Sequence, residues 1–406
     1  MTKTHRLVII FLILFTAISL YFYIPAGYEF RGGPDEAQYL KYAAIISQKG
    51  ISQLPLFVTY YGNNINAQLY PSPARIGYIM LTALWLKVFG AGFAVLAKFS
   101  FFCYLLFIIT CFYFSRKFFG DEVSYLFTLL ISSAPLIMAM GKRALADSSS
   151  NLFWALSIWT FMDFLATQKK TKFLIFLMVY SFSIAMKESS AMLMAFFIVF
   201  FLVYKHYFKN PISGIYLPGI IFTPLIIVSA SYIVLLGGLS NFLLLIKSVF
   251  EIHFINVGLS EYGRLYCMGP WYKFFIDYLL LSPITTLLFL GYAGYILASR
   301  KWDWKKMCFF LYFVVIFAVF NTFLKHGKIA RFVMNIEMVI SLFSVFMLYE
   351  LFRQGDTKKQ FRMVFISTLA IFLVNYLNFY YFFCQYNIYD PVSCWLLVAM
   401  KIIPYK

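Results

Sequence analysis

The chain has 406 residues, of which 62% are hydrophobic, 22% aromatic and only 12% charged. Soluble proteins are about 45–50% apolar and about 25% charged, so the composition excludes a soluble enzyme, a disordered chain and a nucleic-acid-binding module. The formal net charge of +18 fits a polytopic membrane protein, because its Lys and Arg residues lie between apolar runs, where they set topology and contact anionic lipids.

The first apolar run covers residues 7–25 and is preceded by Lys3 and Arg6. It predicts an uncleaved transmembrane helix that begins in the cytoplasm, since cytoplasmic flanks are rich in basic residues. Residues 26–93 then form a predicted external loop. Within it, the apolar stretch 76–89 would rise roughly 21 Å as a helix, which is less than the ~30 Å hydrocarbon core. We therefore expect an interfacial or re-entrant helix there.

Ten further apolar runs, together with the first, predict eleven crossings, with basic clusters alternating to the cytoplasmic side. The fold class expected is an all-α polytopic membrane protein with extracytoplasmic juxtamembrane helices. Residues 1–383 form one membrane domain, and 384–406 form an extracytoplasmic tail. The later spans are predicted at about 94–115, 122–141, 148–166, 173–187, 189–204, 216–236, 274–297, 308–324, 332–349 and 363–383.

A second set of charges falls at the external ends of these helices, where the positive-inside rule does not predict cations. Charges near membrane depth are costly and usually face a cavity or a partner. Snorkelling or isolated salt bridges would explain any one of them, but a shared cavity explains the set better. Its members are Asp35, Glu36, Lys142, Arg143, Asp147, Lys187, Glu188, Lys325, His326, Lys328 and Arg331.

The segment PDEAQY, residues 34–39, is the sharpest local signal in the sequence. Gly and Pro residues break the chain just before it, so Asp35 is expected either to cap the helix that begins there or to act as a general base. Partial burial would raise the basicity of this carboxylate while a nearby cation keeps it ionised, as proton abstraction from a hydroxyl requires.

Two other pairs carry charge at external turns. Arg143 and Asp147 are four residues apart, and on one helix they would share a face and pair. Alternatively, Asp147 joins Asp35 around an acceptor or metal. Lys187 and Glu188 interrupt an apolar hairpin, either as a solvated turn or with the ammonium meeting a phosphate as a point charge.

The sequence GPWY at 269–272 precedes a predicted span. Trp271 and Tyr272 are expected either in the interfacial aromatic belt or in a wall that stacks on a sugar or contacts the donor. Arg331 opens a later span, and its forked guanidinium suits a lasting phosphate contact. No Cys/His cluster indicates a metal site. No cofactor is predicted with certainty, and a divalent metal is left open.

Several pieces, in this order, resemble the GT-C glycosyltransferases, in particular the branch that includes protein O-mannosyltransferases and lipid A aminoarabinose transferases. Each motif alone is weak, but the ordered set is fairly specific and covers most of residues 1–350. The matching pieces are PDEAQY, LYPSPARIGYIMLTALWLKVFG, SRKFFG, GKRALADSSSNLFWAL, AMKESSAML, GPWYKFF and ARFVMNIEMVISLF.

The resemblance implies a sugar donor linked to polyprenyl phosphate, membrane lipids as surroundings and an inverting transfer to an envelope glycan, lipid or protein, without nucleic acid. It implies a bacterial inner membrane protein whose site faces the periplasm. By similarity, Asp35 matches the general base of the first external loop, Asp147 the acidic residue after the third helix, and Lys187 the lysine at the end of the fifth helix. The catalytic carboxylates expected are Asp35, Glu36 and Asp147. The substrate contacts expected are Tyr39, Tyr70, Arg143, Lys187, Glu188, Trp271, Tyr272 and Arg331.

Two other classes of function fit many helices and external charges. A transporter or flippase of a lipid-linked saccharide would need polar residues near the bilayer centre and access from both faces. A non-catalytic envelope assembly protein would carry its charges scattered through the fold, whereas catalysis requires near-contact geometry.

Overall fold

The structure, a computed structural model, describes residues 1–24, 34–251, 269–300, 302–323, 328–353 and 355–386. These ranges are helical and contain no strand. The predicted all-α fold is confirmed, and it follows from the solvent, because in lipid only helices or closed barrels satisfy every backbone polar group. The predicted tail lies outside the described residues beyond 386, as does the 26–33 part of the external loop.

Helices in the described part are numbered α1 to α17 along the chain. Short 3₁₀ segments cover 51–53, 67–69, 188–192 and 330–336, and a π turn covers 380–385. The α-helices are α1 (Lys3–Phe22), α2 (Pro34–Lys49), α3 (Leu54–Asn63), α4 (Ile76–Phe89), α5 (Phe93–Phe119), α6 (Asp121–Ser132), α7 (Pro135–Gly141), α8 (Asp147–Thr167), α9 (Lys170–Met186), α10 (Leu193–His206), α11 (Tyr216–Leu235), α12 (Leu239–Glu251), α13 (Lys273–Leu281), α14 (Pro283–Ser299), α15 (Trp304–Phe323), α16 (Glu337–Leu351) and α17 (Thr357–Phe379).

Seven helices among the described residues are long and apolar enough to cross a membrane, or eight if the bent pair α6 and α7 is one span. The predicted count of eleven is not confirmed. Helix α9 has only 17 residues, and α8 opens with the polar run DSSSN. The seven are Lys3–Phe22, Phe93–Phe119, Glu188–His206, Tyr216–Leu235, Trp304–Thr322, Ala330–Leu351 and Thr357–Gln385.

Two runs predicted as single spans are broken by proline. The run 122–141 bends by 62° between α6 and α7, where Pro135 begins the second helix. The run 274–297 is interrupted at Ser282, which has φ −137° and ψ 63° immediately before Pro283. Proline has no N–H to donate and disfavours the helical conformation of the residue before it, so each run forms two helices.

The chain divides into two compact units. The first unit comprises Met1–Tyr23, Tyr104–Gly141 and Tyr262–Lys406. Its innermost helix is α16, which packs against α6, α14 and α17 and is buried along most of its length. The second unit comprises Ile24–Cys103 and Lys142–Glu261. In it, α8 packs along α9, and α4 packs against α2 and α9.

A hydrophobic cluster of the second unit forms where α4 meets α2 and α3. Ile79 and Ala83 of α4 pack with Tyr42 of α2 and Val58 of α3, all of them buried. These contacts pack a helix that is too short to span the bilayer by itself. The predicted short helix at 76–89 is thus observed as α4 with the same bounds.

Gly77 lets the start of α4 approach the end of α9 closely. A Cβ atom at this position would lie 3.0 Å from both the carbonyl carbon and the oxygen of Ala185. Any side chain would therefore push against backbone, which cannot yield as a flexible side chain can. The glycine brings the residues that follow α9, Lys187 and Glu188, next to the residue that precedes α4, Arg75.

Candidate functional site

Four polar chain breaks of the second unit carry the candidate residues. Helix α2 begins with Pro34, and Asp35 and Glu36 occupy its first turn, where the helix dipole favours negative charge. Asp35 was expected as a possible cap, but it lies inside the helix. It is half-buried, whereas Glu36 is fully buried. The two carboxylates therefore differ in access to a ligand.

Glu36 holds Arg143 in a bidentate ion pair across 107 residues of sequence. Nε of Arg143 donates to Oε1 over 2.8 Å and Nη2 donates to Oε2 over 3.0 Å. The backbone N–H of Ala144 adds a third bond to Oε1 over 3.1 Å. Side-chain exposure is 0% for Glu36 and 9% for Arg143, so this paired charge joins α2 rigidly to the turn before α8.

The turn that carries Arg143 is anchored to α5. Ser100 Oγ donates to the carbonyl of Leu145, and Ser148 Oγ donates to the carbonyl of Ser100. Helix α8 begins only at Asp147, so the expectation that Arg143 and Asp147 share a helix face is wrong. The structure shows Glu36 as a partner of Arg143 and Lys187 as a partner of Asp147.

Asp147 and Lys187 form the second buried pair, with Nζ donating to Oδ1 over 2.7 Å. The two side chains are 5% and 8% exposed. Lys187 stands between α9 and the 3₁₀ turn in an extended conformation, φ −157° and ψ 126°. Because Lys187 is buried, the alternative of a solvated turn is wrong for this residue, while Glu188 is half-buried.

Arg75 forms the third pair and was not singled out from the sequence. Its Nε and Nη2 donate to the Glu188 carboxylate over 2.9 and 2.7 Å, and Nη1 donates to the Tyr39 hydroxyl. Burial by itself lowers the pKa of Arg75, but the carboxylates of Glu188, Asp147 and Asp35 outweigh it and raise the pKa. Arg75 therefore interacts electrostatically with Asp147 and Asp35 as well as with its ion-pair partner Glu188.

We call these groups the ion-pair network: Glu36–Arg143, Asp147–Lys187, Arg75–Glu188, and the adjoining Asp35 and Tyr39. All of them belong to the second unit, and the charged members lie in the first turn of a helix or in the short segments next to a helix end. The arrangement combines fixed cations, which can hold an anion, with a half-buried carboxylate able to accept a proton.

Four other predicted contacts are not members of the ion-pair network. Tyr70 is in the second unit with 43% of its surface exposed. Trp271 and Tyr272, in the first unit, are 63% and 47% exposed. Arg331, also in the first unit, lies over the ring of Phe332 at 5.4 Å. Their roles stay predictions.

Lys328 of the same external set is buried and donates to the carbonyl of Gly269 over 3.0 Å. Lys325 and His326 lie outside the described residues. Within the described ranges no group of three or more His, Cys, Asp or Glu side chains is placed to hold a metal ion.

Comparison with known proteins gives a partial sequence match and a match in fold over about nine-tenths of this chain. The profile of the dolichyl-phosphate-mannose-protein mannosyltransferase family matches residues 74–233, a range that includes Arg75, Arg143, Asp147, Lys187 and Glu188. No curated protein sequence matches the chain.

Three solved structures share the fold. The oligosaccharyltransferase of Archaeoglobus fulgidus, in complex with Zn and sulfate, matches with a TM-score of 0.58 and 13% identity over 92% of this chain. The chain spans about half, 52%, of that protein. Apo ArnT from Cupriavidus metallidurans matches with a TM-score of 0.57 and 13% sequence identity, over 91% of this chain and 76% of the ArnT chain. ArnT from the same organism bound to undecaprenyl phosphate matches with a TM-score of 0.57 and 12% sequence identity, over 91% of this chain and 77% of the ArnT chain.

At such low identity the structural matches establish the fold. The resemblance to the GT-C glycosyltransferases is thus confirmed at the level of architecture, over nine-tenths of the chain. Together with the apolar helices, it makes this chain an integral membrane protein with a GT-C fold.

Proposed function

We propose that this protein is an integral membrane glycosyltransferase that moves a sugar from a polyprenyl-phosphate donor to an acceptor hydroxyl at the extracytoplasmic face. The observation that carries the proposal is the ion-pair network, in which two buried cation–carboxylate pairs and one half-buried pair are assembled from distant segments on a GT-C fold. The profile match to a mannosyltransferase family supports the reaction class. Undecaprenyl phosphate in the ArnT structure supports the donor class.

Asp35 is the proposed base. It adjoins the buried Glu36 in the first turn of α2, yet it is itself half-buried and so is accessible to an acceptor. As the acceptor oxygen bonds to the anomeric carbon, the bond from that carbon to the phosphate oxygen breaks. Asp35 takes the hydroxyl proton, and the phosphate leaves with the electron pair. One such displacement inverts the anomeric centre, and base catalysis of this kind contributes about 10²–10⁴-fold.

Lys187 and Arg143 are the proposed contacts for the leaving phosphate. A donor group placed where charge develops is worth about 3–4 kcal/mol in comparable sites. Asp147 fixes the ammonium of Lys187 at 2.7 Å, and Glu36 fixes the fork of Arg143 through two bonds. Glu36 accepts three hydrogen bonds, so we assign it to positioning Arg143 and not to proton transfer.

The position of the charges favours an enzyme over a transporter. A transporter needs polar groups near the bilayer centre that face both sides in turn. Here Glu36, Arg75, Asp147 and Lys187 all stand at helix termini of the second unit. Contacts of 2.7–3.0 Å between segments 40 to 113 residues apart likewise favour a catalytic site over the scattered charges of an assembly protein.

Replacement of Asp35 by Asn tests the proposal. The purified variant should fold normally but lose at least about 10²-fold in transfer of radiolabelled sugar from a panel of undecaprenyl-phosphate sugars to envelope extract. Asp356→Asn is the matched control, because Asp356 caps α17 through the N–H groups of Lys358 and Lys359 and Asn caps equally well. Transfer by Asp35→Asn at the control rate would remove Asp35 from the base role.

A further inference from the structure

Tyr78 is a buried residue of the second unit that the proposed chemistry does not yet use. It occupies the first turn of α4, and its side chain is 0% exposed. Within the described part of the chain its hydroxyl has no hydrogen-bond partner. Leaving a buried polar group unsatisfied costs about 1–3 kcal/mol, so an unpaired hydroxyl in a native core calls for a ligand or another explanation.

Neighbouring buried tyrosines of the same unit do have partners. The Tyr39 hydroxyl accepts from Arg75. The Tyr42 hydroxyl donates to the carbonyl of Pro71 over 3.4 Å, and the Tyr232 hydroxyl donates to the carbonyl of Ala74. Of these four buried tyrosines, Tyr78 is the one whose hydroxyl has no hydrogen-bond partner among the described residues.

The surroundings of Tyr78 suit it to donate a hydrogen bond. Its ring meets Tyr39 edge-on with centroids 4.8 Å apart and lies 6.0 Å from Phe99. Burial raises the pKa of Tyr78 well above its ordinary value; Cys103, Asp147 and Glu36 raise it further, and Arg75 lowers it. The phenol is therefore neutral throughout the physiological pH range and keeps its proton for an acceptor.

Charge and lipid access indicate which acceptor this is. Arg75 interacts electrostatically with the Tyr78 side chain, and the proposed function sets the donor phosphate against Lys187 of the same ion-pair network, so a phosphate oxygen is an acceptor that both cations and the hydroxyl can share. Farther along α4, Leu84 and Val88 are 60% and 66% exposed, which gives the same short helix an apolar surface for a lipid chain. A ligand with an anionic head and an apolar tail matches both features.

We propose that the Tyr78 hydroxyl donates a hydrogen bond to a phosphate oxygen of the polyprenyl-phosphate donor. This inference rests on the proposed function and names a specific contact in that site. The hydroxyl is satisfied when the donor binds, and the bond persists as charge develops on the leaving phosphate. Tyr78 therefore strengthens both binding and the chemical step.

Tyr78→Phe removes only the oxygen atom, and undecaprenyl phosphate is the probe. The variant should unfold at the same temperature as wild type or slightly above it, because no internal bond is lost. Its affinity for undecaprenyl phosphate should fall about tenfold, which corresponds to ~1.4 kcal/mol. The control is Tyr104→Phe, whose hydroxyl donates to the carbonyl of Ser132 over 2.7 Å. This control should lose stability and keep its affinity.

The outcomes separate the two proposals. If wild type binds undecaprenyl phosphate and Tyr78→Phe binds it equally well, the Tyr78 contact is refuted and the proposed function stands. A loss of stability like that of Tyr104→Phe would also refute it, since the hydroxyl would then have a protein partner. A rise in KM for the acceptor alone would assign Tyr78 to the acceptor and overturn the phosphate contact. If wild type binds no undecaprenyl phosphate, the proposed function itself fails.

Discussion

Replacement of Glu36 by Gln is the perturbation whose size follows most directly from the structure. The Glu36 carboxylate is fully buried and accepts three hydrogen bonds, two of them from Arg143. The amide of Gln keeps the shape but offers one acceptor oxygen, and its NH₂ group would face a donor. It also leaves the charge of Arg143, only 9% exposed, without compensation. Breaking a buried ion pair in this way costs about 3–5 kcal/mol.

The assay is chemical unfolding in detergent micelles, followed by intrinsic fluorescence. Glu251→Gln is the matched control, because Glu251 pairs with Lys247 at 3.8 Å on an exposed helix face and should lose at most about 0.5 kcal/mol. The double variant Glu36→Gln, Arg143→Gln should lose less than the sum of its single variants, with a coupling of ~2 kcal/mol or more. A loss below about 1 kcal/mol for Glu36→Gln, or strict additivity, would refute the reasoning.

Three further predictions follow from the same contacts. Gly77→Ala should lower the free energy of unfolding by about 1–3 kcal/mol, because its Cβ would overlap the α9 backbone. The control Gly294→Ala, whose Cβ meets open space inside α14, should be neutral or stabilising in thermal unfolding. Equal effects of the two variants would contradict the close approach of α4 to α9. Lys187→Met should lower kcat for transfer about 10²-fold or more, measured per folded protein because the variant leaves Asp147 buried without its partner, and wild-type kcat would exclude Lys187 from the phosphate contact. Asp147→Asn, which leaves that ammonium in place but frees its orientation, should cost less in kcat than Lys187→Met; a larger loss would indicate a direct role for Asp147.

Much of the architecture could be predicted from local patterns. The first span, the short helix α4 and the hairpin broken at Lys187 all correspond to apolar runs and polar breaks that are visible in the sequence. The helix breaks at Pro135 and Pro283 also have a local signal, the proline itself, but the apolar run continues on both sides of each proline and favours a single span. The number of spans could not be settled this way, because α8 is polar in its first turn and buries that turn in the second unit.

The pairing inside the site could not be predicted. Sequence spacing favoured Arg143 with Asp147, but the helix begins too late for that geometry, and the bidentate partner of Arg143 lies 107 residues away. Arg75 was overlooked because a single cation before a short apolar helix resembles an interfacial anchor. Only packing at Gly77 brings it to Glu188, and such tertiary proximity leaves no local pattern.

Photocrosslinking of the donor lipid tests the central claim most directly. A polyprenyl phosphate with a diazirine next to its phosphate would be irradiated with the purified protein, and the labelled peptides would be identified by mass spectrometry. The account predicts labelling of the peptides that contain Tyr39, Tyr78 and Lys187, suppressed by excess undecaprenyl phosphate. Labelling confined to other peptides, or labelling that undecaprenyl phosphate does not suppress, would contradict the assignment of the ion-pair network as the donor site.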